Sequence, residues 1–186
     1  MEHYQNTIGI VIKTYTLKES DLLVTILTPH LGKIVCLAKG AKNIKSTRLG
    51  SLQLGNIIKV NLYKKGDYLW LSESTTISQF LRDPKNLTQL NLLFYFLEIL
   101  NHFVVENQQI DGVYQISESL IKSINDNQLA HFINNEIQFI EILGFGIPQE
   151  IIDSYQQQKY IDCQKGIKQF LESIIEKPLQ SSKLFS

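Results

Sequence analysis

Cysteine is scarce in this chain. Only Cys36 and Cys163 occur among 186 residues, and no Cys-x-x-Cys pair exists. Neither a disulfide framework nor a cysteine-built zinc site follows. Long hydrophobic runs are missing as well. The most apolar stretch, Leu87 to Val105, is broken by Asn91, Glu98, Asn101 and His102, so no membrane span is expected. The first residues, Met1-Glu2-His3-Tyr4-Gln5-Asn6, lack the charged-then-apolar build of a secretion signal, which points to a cytoplasmic protein. The four histidines (His3, His30, His102, His131) lie in unrelated segments. No His-Glu-x-x-His, phosphate-loop or Gly-x-Ser-x-Gly motif occurs. The expectation is a protein that is not an enzyme, with no cofactor and no metal. Acidic residues are absent from Leu22 through Gly66.

What is present is an asymmetry hidden under a net charge of zero. Residues 1–82 hold 11 Lys+Arg against 5 Asp+Glu, and residues 83–186 hold 7 against 13. A basic first half joined to an acidic second half suggests a polyanionic partner for the first half alone.

The first half alternates with the period of strands. Thr7 to Tyr15 places Ile8, Ile10 and Ile12 on one face. Leu22 to Thr28 is a short apolar run stopped by Pro29, and His30-Leu31-Gly32 turns the chain into Lys33 to Lys39. Residues 40–55 carry three glycines and little periodicity, which predicts a long loop with room for one helical turn. Asn56 to Tyr63 alternates again, Lys64-Lys65-Gly66-Asp67 reads as a hairpin turn, and a last strand starts at Tyr68 and runs on toward Phe80. Five short strands with a long third connection suit an OB-fold, a five-stranded Greek-key barrel. A small barrel of the SH3 kind has a similar count.

Asp83-Pro84 ends this pattern, and helical periods follow. Leu87 to Val105 is apolar on nearly every face and should be the buried centre of a bundle. Asp111 to Asn125, Asn127 to Leu143 and Cys163 to Glu176 are amphipathic. Gly144 suits a helix C-cap, and Pro148 prevents continuation. The expected architecture is therefore α+β: an OB-fold domain over 1–82 and an all-helical domain over 83–186.

Two features of the first half point to nucleic acid. Lys33, Lys39, Lys42, Lys45 and Arg48 fall within 16 residues, among Gly40, Gly50, Gly55, Ser46, Thr47 and Ser51. Cations neutralise phosphates, and amides and hydroxyls add hydrogen bonds to them. A solvated loop has the same composition. The second feature is a face. If residues 63–68 form the hairpin, Tyr63 lies opposite Tyr68, and Lys59, Asn61, Tyr63, Tyr68 and Trp70 share the side opposite Ile58, Val60, Leu62, Leu69 and Leu71. Aromatics interleaved with lysines give stacking beside phosphate neutralisation, as single-strand binding needs. Burial of that face against the helical domain is the competing reading for Trp70. Glu19 and Asp21 read as a turn or local cap. Glu98, within the most apolar helix, reads as a bundle glutamate tied to backbone or an arginine rather than a catalytic group. The rival function class is a protein-interaction module with an OB- or SH3-like barrel and no nucleic-acid role.

A series of short motifs is similar to the RecO family. It starts with Gly9-Ile10-Val11-Ile12-Lys13, Glu19-Ser20-Asp21, Leu27-Thr28-Pro29 and Gly32-Lys33. It continues with Ala38-Lys39-Gly40-Ala41-Lys42, Ser46-Thr47-Arg48 and Leu52-Gln53. Downstream, Tyr95-Phe96-Leu97-Glu98 resembles the family's Tyr-x-x-Glu helix, Gly144-Phe145-Gly146-Ile147-Pro148 its glycine–proline turn, and Ser181-Ser182-Lys183-Leu184-Phe185 its tail. The resemblance implies an OB-fold with a helical C-terminal domain. It also implies a DNA-binding recombination mediator in DNA repair that binds single- and double-stranded DNA and anneals single strands. Such a mediator acts with RecR to assist loading of RecA on DNA coated by single-strand-binding protein. Many relatives carry a four-cysteine zinc module after the glycine–proline turn. Here Cys163 stands alone, so the resemblance is to a short form lacking that module. A further departure is Leu54-Gly55 where the family usually has Pro-Phe. The helical domain of some relatives binds the acidic tail of single-strand-binding protein, a role the acidic surplus here does not favour.

Overall fold

A computed structural model describes residues 4–43, 46–80 and 87–181. Lys45, the Asp83-Pro84 break and the Ser182–Phe185 tail lie outside the described residues. The chain divides into two compact units: residues 1–82 with 104–109, and residues 83–103 with 110–186.

The first unit is a closed barrel of five strands in the order β1-β2-β3-β5-β4. The strands are β1 (Tyr4–Thr16), β2 (Leu22–Thr28), β3 (Gly32–Ala38), β4 (Ile57–Lys65) and β5 (Tyr68–Ser78). A single turn of helix, α1 (Arg48–Ser51), stands between β3 and β4, which is the OB-fold arrangement. Strand β1 closes the barrel because it pairs with two neighbours: Ile10 is opposite Leu27 of β2 and also Ile57 of β4. The interior is filled by alternate residues, Leu22, Val24 and Ile26 from β2, Ile34 and Cys36 from β3, Ile58, Val60 and Leu62 from β4, and Leu71 from β5.

Strand β1 departs from the alternation read in its sequence. Ile8 is 38% exposed, and Ile10 and Ile12, though buried, are not among the side chains that fill the barrel; Val11 is. Pairing with β4 sets this: Thr7 and Gly9 lie opposite the interior residues Val60 and Ile58, so Ile8 and Ile10 face away, and the register shift between Val11 and Lys13 then keeps Lys13 and Tyr15 on the outer face. Gly9 answers a packing need: a Cβ there would strike the Ile26 side chain and the Leu27 carbonyl.

Asn56 is buried and locks three elements together. Its amide nitrogen donates to the carbonyls of Gly50 and Ser51 at 3.1 Å, satisfying the open end of α1. Its Oδ1 accepts the Phe80 N–H at 2.9 Å beyond the end of β5.

Residues 104–109 fold with the barrel. The Asn107 N–H donates to the Lys33 carbonyl at 2.8 Å, and Glu106 forms a parallel bridge with Lys33. They cover the end of β3 that β5 does not reach, since β3 and β5 meet at Leu37 and Trp70. Gly32, at φ +65°, is required at this crossing, because a Cβ would collide with the Gln108 carbonyl.

The second unit is helical: α2 (Leu87–Phe103), α3 (Val113–Asn125), α4 (Leu129–Ile142), α5 (Gln149–Gln156) and α6 (Tyr160–Ile175). Leu93, Tyr95, Phe96, Leu97, Ile99 and Leu100 bury α2, and Phe96 meets Phe139 of α4 edge-on at 5.8 Å. Gly144, at φ +86°, ends α4 as its position in the sequence predicts. Helix α5 was not legible. Pro148 does stop the preceding segment, but it also begins α5, where its carbonyl accepts the Ile151 N–H at 3.0 Å. Proline's fixed φ and missing N–H suit the start of a helix as well as they prevent its interior.

Candidate nucleic-acid interface

The hairpin β4–β5 sets the site. Its connection is the two residues Gly66-Asp67, with Lys65 opposite Tyr68 and Gly66 at φ +61°, as a two-residue turn needs. Tyr63 therefore faces Trp70 rather than Tyr68, which corrects the pairing read from the sequence. Paired residues share a face, so Lys59, Asn61, Tyr63, Tyr68 and Trp70 all point outward, opposite Ile58, Val60, Leu62 and Leu71.

The aromatic surface is wider than those residues. Tyr63 stacks on Trp70 with centroids 6.1 Å apart and planes at 21°. On its other side Tyr4 of β1 lies 5.7 Å from Tyr63, brought there by the Tyr4–Tyr63 register. Tyr4 is 69% exposed and Tyr68 67%, so two phenol faces are open to solvent while Tyr63 and Trp70 are half-buried. Sequence reasoning missed Tyr4. Tyr4 shares a face with Ile8, whose outward direction the sequence does not show, and the register that sets Tyr4 beside Tyr63 belongs to barrel closure. The Trp70 indole N–H is buried without a hydrogen-bond partner among the described residues.

The cations of the loop separate into two groups. Lys39 and Lys42 are exposed on a segment held at three points. The Gly40 N–H donates to Asp21 Oδ1 at 2.7 Å, the Lys42 N–H donates to the Ser20 carbonyl at 3.0 Å, and Lys42 Nζ donates to Thr16 Oγ1 at 3.4 Å. Asp21 is thus a local cap. Lys59 is exposed on the outer face of β4, between Ile8 and Thr75.

Arg48 and Lys33 are placed otherwise. The Arg48 guanidinium donates to the Lys39 carbonyl at 2.7 Å and to the Leu71 and Ser72 carbonyls at 3.3 Å, so its fork ties the loop to β5. Lys33 is 5% exposed, beneath residues 104–109. Burial pulls its ammonium below the usual lysine range against the opposing effect of Glu106, with Lys13 lowering it further. Between α1 and β5 runs a shallow groove of about 570 Å³ whose lining includes Ser46, Thr47, Ser72, Glu73 and Ser74.

In the helical unit the half-buried Glu98 and the buried Glu136 are both hydrogen-bonded. Glu98 accepts the N–H groups of Gln180 at 2.7 Å and Ser181 at 2.9 Å. Burial raises its carboxyl, but hydrogen bonds from Ser181 and Gln180, with His102 nearby, bring it below the ordinary value. It is the backbone-tied glutamate that its position suggests. Glu136 on α4 is 1% exposed and accepts the Tyr95 hydroxyl at 2.6 Å, and its Oε2 has no hydrogen-bond partner among the described residues. Burial pushes its carboxyl up to about 8, partly offset by the Tyr95 bond. Burial also pushes the Cys36 thiol up to about 12, and burial with Glu136 pushes Cys163 up to about 11, so both stay protonated near neutrality. Among the described residues no three His, Cys, Asp or Glu side chains gather as metal ligands, and no helix is long and apolar enough to cross a membrane.

Comparison with known proteins covers the barrel and extends beyond it. Residues 1–80 match the family model "Recombination protein O N terminal". The chain is 32% identical over 146 residues to the DNA repair protein RecO of Acetivibrio thermocellus, covering 77% of this chain and 58% of that protein. It is 27% identical over 146 residues to the RecO of Chloroherpeton thalassium, covering 76% and 56%. To the RecO of Clostridium novyi it is 28% identical over 138 residues, covering 74% and 50%. The matches span 50–58% of the length of these relatives.

Proposed function

Because this chain belongs to the RecO family of DNA repair proteins, we propose that its barrel binds DNA during repair and recombination, as a mediator that makes and breaks no covalent bond. The observation that carries this reading is the outward aromatic row Tyr4, Tyr63 and Trp70 on the same barrel as exposed Lys39, Lys42 and Lys59. Phosphates are neutralised by the lysines without base readout, and unpaired bases stack on the tyrosines and the tryptophan at about 1–3 kcal/mol each. Lys45 belongs to the same basic loop. Arg48 contributes by fixing where Lys39 stands, and Lys33 by holding residues 104–109.

The finer role in this reading is annealing of complementary single strands. With RecR, it extends to helping RecA onto DNA covered by single-strand-binding protein, in the cytoplasm. Binding without base readout serves such a role, because any sequence must be handled.

Anisotropy of a labelled strand of about 30 nucleotides, titrated at several salt concentrations, tests the barrel's role. Affinity should fall steeply with salt. The double variant Lys39→Ala/Lys42→Ala should bind more weakly, with a log–log slope shallower by about 1.4. A protein that ignores the strand even in dilute buffer refutes the reading. Annealing of coated complementary strands, with and without RecR, tests the finer role, and no acceleration in either case would remove it.

A further inference from the structure

The aromatic row does not end at Trp70. Trp70 is registered with Leu37 of β3, Leu37 with Leu23 of β2, and Leu23 with Tyr15 of β1. Tyr4, Tyr63, Trp70, Leu37, Leu23 and Tyr15 thus occupy one outward position on each strand, with β1 supplying both ends. None is charged, each is exposed or half-buried, and Tyr15 is 61% exposed. Outward neighbours two residues along from the stripe include Asn61 and Lys65 on β4, Thr25 on β2 and Lys13 on β1, with Val35 an apolar neighbour of Leu37 on β3. Five inter-strand steps of about 4.8 Å carry the stripe once around the closed barrel, a wrapping path of about 24 Å, suited to the shorter site sizes of OB-folds, about four nucleotides.

We infer that Leu37, Leu23 and Tyr15 continue the base-contacting surface of Tyr4, Tyr63 and Trp70, so that the stripe selects an unpaired strand over a duplex. This rests on the proposed nucleic-acid role of the barrel. A duplex keeps its base faces stacked inside and offers phosphates and groove edges. An apolar stripe gains little from those, whereas unpaired bases present faces that aromatic rings stack and leucines cover. The charge arrangement fits the same occupant. Lys65 lies two residues beyond Tyr63 along β4, and Lys39 two residues beyond Leu37, just past the end of β3. Lys42 reaches Thr16, next to Tyr15. Lys13 precedes Tyr15 by two residues. A phosphodiester chain following the stripe has cations within reach at several points along it.

The test uses the intact chain with two variants, Tyr15→Ala and Leu37→Thr, the latter keeping a β-favouring side chain. Binding is measured by anisotropy to a labelled thymidine homopolymer of about 12 nucleotides and to a blunt duplex of the same length. Trp70 is the single tryptophan and gives a second readout. The unpaired strand should quench its fluorescence, each variant should weaken single-strand binding about fivefold or more, and duplex affinity should stay within about twofold of wild type. Equal losses for both ligands, or no loss for the single strand, would overturn the inference while leaving the barrel a DNA-binding surface. Absence of wild-type binding to either ligand would remove the underlying reading too. Self-association through the stripe, abolished by either variant, would assign it to a second copy of the chain and overturn the inference. Thermal melting separates a binding loss from misfolding. Tyr15→Ala, at an exposed position, carries the test by itself if Leu37→Thr fails to fold.

Discussion

Replacing Glu136 by Gln should change how the stability of the helical unit depends on pH. Glu136 is fully enclosed, its carboxyl is raised from 4.5 to about 8, and burial is the main cause. In the unfolded chain it ionises near its ordinary value, while in the folded chain it keeps its proton until about pH 8. Between those values the folded state binds one more proton than the unfolded state, so stability falls as pH rises. The slope approaches about 1.4 kcal/mol per pH unit, and the whole interval corresponds to about 5 kcal/mol. Below about pH 4.5 the full stability is present, and above about pH 8 the loss is complete. Glutamine keeps an acceptor for the Tyr95 hydroxyl and has no charge to lose, at a cost of about 1–3 kcal/mol for a buried amide without partners. The variant should therefore be less stable than wild type near pH 5 and more stable near pH 8. Urea denaturation followed by far-ultraviolet circular dichroism at pH 5, 6, 7 and 8 reads the crossing. Parallel profiles for the two proteins would mean that water or a cation reaches Oε2, and the argument from burial would fail.

Two further outcomes follow from the barrel. Arg48→Lys keeps the charge but loses the fork that donates to the Lys39, Leu71 and Ser72 carbonyls. Thermal melting should show a loss of about 1–3 kcal/mol, while the salt slope for DNA binding stays unchanged; a shallower slope with normal stability would make Arg48 a phosphate contact instead. Asn56→Ala leaves the Phe80 N–H and the Gly50 and Ser51 carbonyls without their partner. It should cost about 3 kcal/mol in chemical denaturation, and a cost below about 1 kcal/mol would show that these groups find other partners.

Much of the barrel could be read directly because strand burial is a local matter. Ile58, Val60 and Leu62 alternate with Lys59 and Asn61, and the same alternation buries one set and exposes the other. The helices were legible for a similar reason, as in the case of Gly144 ending α4. Local pattern failed where a residue serves two segments, as Pro148 does between α4 and α5. It failed again at β1, where pairing with β4 turns Thr7 and Gly9 toward the barrel interior and the isoleucines Ile8 and Ile10 away from it.

By itself the sequence determined the five strands and the helices α2, α3, α4 and α6, which half is basic, and that lysines and aromatics occur close together. Only the tertiary structure decided which of those groups can act. Residues 104–109, far along the chain, cover Lys33. The carbonyls of β5 occupy Arg48, and barrel closure sets Tyr4 against Tyr63 and carries the row on to Tyr15. Glu136 belongs with these: its place in an amphipathic pattern said nothing of an enclosed carboxyl with one oxygen lacking a partner among the described residues. The physical reason is common to all of them. Periodicity reports how one segment divides water from interior, whereas the partners of a charge or a ring come from segments whose meeting depends on long-range pairing.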